Sequence, residues 1–315
     1  MISVSNLTKR FGSTLAVDDV SFEISQGQVV GFLGPNGAGK TTTMRLLTGY
    51  LPPDAGSAQL LGQDALTQSL DIRRRLGYLP ENNPLPDDIE VTDYLHFIAQ
   101  LRGLHDPIQR MDRVRAVLKL CSLNAVVGKK LSELSKGYRQ RVGLAQAMVH
   151  DPEILILDEP TSGLDPNQVQ EVRGLIHDLK KQKTVILSTH ILTEVQHTCD
   201  RVLIISKGKV VADGTPTDLA GSLQNVNRLY VSLKGPQADI ERELGGMRGV
   251  SRFSPQPLND GEQGYVIESD ASVDLREDVF RIASQRNWPV LGLQQKRLSL
   301  EEVFRALTQS EAPHA

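Results

Sequence analysis

The sequence predicts an α/β protein built on a parallel sheet, followed by a smaller α+β domain. Three observations carry that expectation. Short apolar runs at 154–157 and 184–188 flank a helical stretch at 166–181, and this alternation calls for parallel strands joined by crossover helices. A third apolar run, 29–33, leads straight into a glycine-rich segment and a helix-forming stretch at 41–47. Past residue 221 the pattern becomes β, α, β, β, α, β, the order of a two-layer ferredoxin-like domain.

Each element has its own warrant. Residues 2–24 alternate apolar and polar side chains and read as strands. Asn82, Asn83, Pro84, Pro86, Asp87 and Asp88 make a turn cluster. A helical tract runs over 91–120, with Tyr94, Leu95, Ile98 and Leu101 at helical spacing and a break near Gly103 and Asp106-Pro107. Residues 202–205 form another buried strand. A boundary falls at 221–227. Beyond it Leu229, Val231 and Leu233 alternate, 238–244 is helical, and 250–253 and 265–267 are strands around the turn Asn259-Asp260-Gly261. A helix at 273–285, a strand at 290–293 and a helix at 299–307 complete the chain. The expected division is residues 1–220, with a helical subdomain at about 84–150, and residues 221–315.

Composition bounds the function. The 315 residues suit two domains at about 100–200 residues each. Hydrophobic residues at 39% and charged residues at 23% are an ordinary soluble mix and exclude wholesale disorder. A net charge of −3, from 35 basic and 38 acidic residues, gives no global basic field, so no nucleic acid is expected as a partner. Cys121 and Cys199 are too few and too scattered for a disulfide framework or a zinc site, and read as small buried hydrophobes. The N-terminus lacks the basic start and apolar core of a signal peptide, and no run approaches the roughly 18 apolar residues that cross a bilayer. The expectation is a chain that does not span a membrane but can sit on one through a partner.

Gly34-Pro35-Asn36-Gly37-Ala38-Gly39-Lys40-Thr41 carries the chemistry. Its glycines let backbone N–H groups wrap a phosphate chain at a helix N-terminus. Lys40 would reach the β- and γ-phosphates, and the Thr41 hydroxyl would hold Mg²⁺. Asp158 and Glu159 end a buried aliphatic strand, at the carboxyl edge where open α/β sheets bind ligands. Asp158 would hold Mg²⁺, and Glu159 would act on the attacking water as general base. Leu134-Ser135-Lys136-Gly137-Tyr138, followed by Gln140-Arg141, could open another helix.

These residues together resemble the nucleotide-binding subunit of ATP-binding-cassette (ABC) transporters. The resemblance covers roughly residues 1–220. It implies a phosphate-loop NTPase of ABC type with a helical subdomain. Ser135, Lys136 and Gly137 fall on the LSGGQ signature, although Lys136 replaces its first glycine and Tyr138 its glutamine. Ser162-Gly163-Leu164-Asp165 is similar to the D-loop, and His190 to the switch histidine. Phe11 falls where the family stacks an aromatic on adenine, with Val17 nearby. The implied ATP-binding set is therefore Phe11, Val17, Asn36, Gly37, Ala38, Gly39, Lys40, Thr41 and Thr42. Glu81 stands at the Q-loop in place of glutamine; it could ligate Mg²⁺ too, with an added negative charge. His150, His177 and His197 have no such context and read as structural.

The resemblance implies that two copies pair head to tail, with Ser135 and Gly137 of one closing over the ATP of the other. It also implies separate integral-membrane permease subunits and a place on the cytoplasmic face of the cell membrane. The C-terminal extension, ending in Leu300-Glu301-Glu302-Val303-Phe304, is similar to the accessory domain of bacterial exporter and gliding-motility ATPases. Two other readings are open on sequence: a soluble ABC ATPase acting on nucleic acid or the ribosome, and a regulatory subunit that binds ATP with little hydrolysis. One phosphate loop and no sustained heptads count against the first. Glu159 with His190 counts against the second.

Overall fold

The computed structural model describes residues 1–180, 182–222, 226–257, 263–270, 273–296 and 300–309. The chain divides into two compact units, Met1–Pro216 and Thr217–Ala315. The first unit opens on a hairpin of β1 (Ile2–Phe11) and β2 (Thr14–Ile24), turned at Gly12, whose φ of 58° is left-handed. Along β2, alternation points Val20, Phe22 and Ile24 inward; Val17, three residues before Val20, is buried as well because the register against β1 shifts between them, where Asp19 is left-handed at φ 54°. After β3 (Val29–Leu33) and α1 (Lys40–Leu47), the strands β4 (Ala55–Leu60) and β5 (Gln63–Asp64) complete a four-stranded antiparallel sheet, β2-β1-β4-β5.

A second sheet holds β3 at its centre. Its other strands are β6 (Leu76–Leu79), β7 (Ile154–Asp158), β8 (Thr184–Thr189), β9 (Arg201–Ser206) and β10 (Lys209–Gly214), in the order β10-β9-β3-β8-β7-β6. Only the β9–β10 pair is antiparallel. Every residue of β3, β7 and β8 is buried, because both faces are covered; that is why these strands read as apolar runs and not as alternation. Phe22 meets Phe32 edge-on in the core at 5.2 Å, a contact worth about 0.5–1.5 kcal/mol beyond area burial. Register then aligns three strand ends. Leu33 pairs with Thr189, and Asp158 with Ser188, so the loops leaving β3, β7 and β8 emerge side by side.

α2 (Ser69–Arg75) precedes β6, and the long helical tract follows as α3 (Val91–Leu101) and α4 (Pro107–Leu120). Gly103, at φ 99°, ends the first, and the Asp106 carboxylate caps the second by accepting from the Ile108 N–H at 2.9 Å. α5 (Lys136–Met148) packs with both and against β6. α6 (Pro166–Leu179) stops short of the expected residue 181, and α7 (Leu192–Thr198) leads into β9. No helix among the described residues is long and apolar enough to cross a membrane.

The second unit opens within α8 (Pro216–Ser222). It contains β11 (Val226–Leu233), α9 (Gln237–Gly246), β12 (Val250–Pro257), β13 (Gln263–Asp270), α10 (Arg276–Gln285), β14 (Val290–Lys296) and α11 (Leu300–Gln309). The sheet runs β12-β13-β11-β14, antiparallel throughout. Leu229, Val231 and Leu233 join Ile240, Tyr265 and Val279 in its core. α10 starts at Arg276, later than the expected 273. The Val273 carbonyl is taken by the Ser269 hydroxyl at 3.1 Å, and the Asp274 carboxylate accepts from the Arg276 N–H at 3.1 Å, which holds the preceding turn open. The expected turn Asn259-Asp260-Gly261 lies outside the described residues.

Candidate active site

β3 ends and the chain turns into the loop Gly34–Gly39. A Cβ on Gly34 would stand 2.5 Å from the Ile205 carbonyl oxygen, so only glycine fits between the sheet and the loop. Gly37 and Gly39 take φ of 77° and 107°, which brings successive N–H groups to one side. Lys40 opens α1 with its side chain folded back. Its ammonium donates to the Gly34 and Pro35 carbonyls at 2.8 and 3.2 Å and lies 3.7 Å from the Glu159 carboxylate. Asn36, Gly37, Gly39, Lys40, Thr41 and Thr42 line an open cleft of about 470 Å³ with Glu81 and Glu159.

The acids at the end of β7 face that cleft in different ways. Glu159 sits at φ 50°, a left-handed backbone in which side chains are uncommon. Its N–H donates to the Ser188 carbonyl and hydroxyl, both at 3.1 Å. Its carboxylate oxygens lie 3.0 and 2.9 Å from His190 Nδ1, within hydrogen-bond reach, and in the tautomer that protonates Nδ1 the ring donates to them. Glu159 is buried, while the His190 side chain is 48% exposed. On the far side, the Gln140 amide donates to the Pro160 carbonyl at 3.0 Å and, more weakly, to the Glu159 carbonyl at 3.5 Å.

Asp158 is wholly buried, and burial pushes its carboxyl above the usual carboxylate range; the Ser188 and Thr41 hydroxyls oppose that shift, while the Glu81 and Glu159 charges reinforce it. The Thr41 hydroxyl lies 3.3 Å from Asp158 Oδ1 and 3.4 Å from Glu81 Oε2, and its single proton can serve only one of them. Asp158 Oδ2 is buried without a hydrogen-bond partner. Oxygens thus converge with too few protons among them. That donor set fits a hard divalent cation, with Thr41, Asp158 and Glu81 as protein ligands. No group of three or more His, Cys, Asp or Glu forms a metal cluster among the described residues, so phosphate oxygens and water would have to complete the shell.

The other expected residues are placed as follows. Phe11 is 48% exposed at the end of β1, with the Lys9 ammonium 5.8 Å from its ring centroid, and offers a free face. Val17 needs correcting. It is fully buried in the core, and strand alternation gives the cleft its neighbour Ala16 instead. Ala38 is also buried, so it can serve a phosphate only through its backbone. Ser135 caps α5, accepting from the Tyr138 N–H at 3.4 Å. Ser135, Lys136 and Gly137 do not line the cleft of their own chain. Gly137 lies against the Gln168 side chain and Lys136 against Gly163. Asp165 caps α6, accepting from the Asn167 and Gln168 N–H groups at 3.0 and 2.9 Å. His150 is buried against the Leu76 carbonyl at 3.1 Å, away from the cleft. Gln140 and Ser188 escaped the sequence reading as site residues. Gln140 was visible beside the signature, and Ser188 beside His190, but only packing reveals what they hold.

The glycine cradle after β3 and the acid pair after β7 stand at the carboxyl ends of strands in one parallel sheet, on either side of β8. The family model for ABC transporters matches residues 17–162. Nod factor export ATP-binding protein I of Burkholderia lata is 37% identical over 315 residues, covering 98% of this chain and 97% of that protein. The chain belongs to the ATP-binding subunits of ABC transporters. As a member of that family it binds ATP and is an ATPase. Bacitracin transport ATP-binding protein BcrA of Bacillus licheniformis is 37% identical over 236 residues, 74% of each chain. An ABC transporter ATP-binding subunit of known structure superposes with a TM-score of 0.65 at 29% identity, over 70% of this chain and 92% of that one. The dimeric cassette MJ0796 bound to ADP and phosphate gives 0.64 over 68% and 98%; at 23% identity this shows the ABC fold alone.

Proposed function

We propose that this ABC subunit powers export by separate integral-membrane permease subunits at the cytoplasmic face of the cell membrane. The direction of transport is supported by the Nod factor export relatives, which align along nearly the whole chain. The observation that carries the hydrolytic reading is the buried Lys40–Glu159 pair beside the glycine cradle, with the half-exposed His190 on the Glu159 carboxylate. The amides of residues 37–39 and the Lys40 ammonium would bind and orient the phosphates. Glu159 would accept a proton from the attacking water, and His190 would hold the carboxylate's direction and approach the γ-phosphate. Phe11 would stack on adenine. Thr41, Asp158 and Glu81 would hold Mg²⁺, which when bound would neutralise charge on the phosphate oxygens. Residues 221–315 would form an accessory domain of the exporter type.

Ser135 and Gly137 do not line their own cleft, so a second copy would have to present them to the phosphates. ATP would then join two copies head to tail, and hydrolysis would release them. The test is Glu159→Gln. The variant should bind ATP and pair in its presence, with turnover lowered by about 10²–10⁴-fold, the usual contribution of a general base. Normal turnover by a folded Glu159→Gln protein would refute the role. Co-purification of the chain with a hydrophobic permease from a membrane fraction tests the partner.

A further inference from the structure

Glu194 lies on α7, outside the cleft, and is 97% buried by its 3% exposure. A buried carboxylate is costly unless its oxygens are bonded. Here each oxygen takes one hydroxyl. Thr161 Oγ1 donates to Oε1, and Thr189 Oγ1 donates to Oε2 at 2.6 Å. The Thr189 oxygen in turn accepts from the Ile191 N–H at 3.0 Å. The two threonines belong to different segments. Thr161 lies two residues past Glu159, and Thr189 immediately precedes His190. Glu194 therefore ties the turn that carries the carboxylate to the strand end that carries the imidazole. Nothing else in the chain joins those two hydroxyls among the bonds of the described residues.

We propose that Glu194 is a positioning residue for ATP hydrolysis: its carboxylate, by holding Thr161 and Thr189 together, fixes the 2.9–3.0 Å contact between Glu159 and His190. The bonds from the Glu159 N–H to the Ser188 carbonyl and hydroxyl join the two strand ends, but they involve neither the Glu159 carboxylate nor His190. Each segment has its own anchors, Thr189 against Leu33 and Pro160 against the Gln140 amide, but the Glu194 carboxylate is what bonds the Thr161 and Thr189 side chains to each other, and misplacing a general base lowers the rate more than it lowers affinity. The inference rests on reading Glu159 as the base.

The test compares Glu194→Ala, Glu194→Gln and Thr161→Val in the full chain, with ATP turnover and nucleotide affinity measured separately. Glu194→Ala should lower kcat about tenfold or more while KM and the Kd for ATP stay within about twofold. Glu194→Gln, which can still bond both hydroxyls, should recover most of the rate. Thr161→Val keeps the volume and removes one bond, so it should lose several-fold in kcat and add little to the Glu194→Ala loss in the double variant. If Glu194→Ala does not fold, Thr161→Val decides. Parent-like kcat in a folded Glu194→Ala or Thr161→Val protein would overturn the proposal, as would equal losses in the Ala and Gln variants or a parallel loss of ATP affinity. Glu159→Gln separates the two readings: if it is inactive while Glu194→Ala is normal, only the clamp fails.

Discussion

Lys40 shows how one side chain is set by its surroundings. Its ammonium is buried, satisfied by two loop carbonyls and paired with Glu159, so it is aimed where phosphate oxygens would lie. Charge-assisted bonds of this kind are worth about 1.5–3 kcal/mol. Lys40→Ala should therefore weaken ATP binding about tenfold to a hundredfold, read by nucleotide titration. His150 makes a separate prediction. Burial, and then the nearby Arg102 charge, push its imidazole down to about 4 from 6.5. The unfolded chain takes up that proton first as pH falls. His150 thus contributes stability above about pH 6.5 that is lost progressively down to about pH 4. Denaturant melts across that range should show a smaller acid loss in His150→Asn than in the parent. Residue roles were unevenly legible. The lysine and the acid pair follow from chemistry that allows few alternatives. Val17 failed because resemblance located a strand without saying which of its faces meets the nucleotide.

Elements were legible where one force dominated. Residues of β3, β7 and β8 are buried on both faces, and their apolar runs declared them. The break between α3 and α4 was announced by Gly103 and Asp106-Pro107. Strands β5 and β10 gave no comparable signal: one is two residues long, and the other alternates between exposed and half-buried positions without a buried face. Gln140 presents the same difficulty within a helix. Its sequence position says N-terminal turn, and only the packing of α5 on the end of β7 shows that it bonds the Pro160 carbonyl. The loop between β3 and α1 offers the sharpest element-scale test. At Gly39 the backbone is left-handed and an added Cβ would press on the Ala16 carbonyl. Gly39→Ala should destabilise the protein by more than about 1 kcal/mol and abolish measurable ATP binding, checked by thermal melts and titration.

At the scale of the whole molecule, the two compact units have separate hydrophobic cores. Every residue proposed for ATP lies in Met1–Pro216. Ligand binding to one unit raises that unit's unfolding temperature by mass action. Calorimetry should show a transition that moves upward with ATP and Mg²⁺ and another that does not. A single transition moving as a whole would show that the units unfold together. The expected division at residue 221 rests on the β, α, β, β, α, β order beyond it, and the compact units divide at Pro216 and Thr217.

Glu159 occupies a backbone shape that glycine would fill with less strain. Its carboxylate, in the proposed role, is what glycine there would forfeit. Laboratory evolution for heat resistance alone, blind to turnover, should drift toward glycine at this position and yield a sturdier, inert protein. Evolution that also scores ATP consumption should retain the glutamate, and would have to find its gains in heat resistance elsewhere.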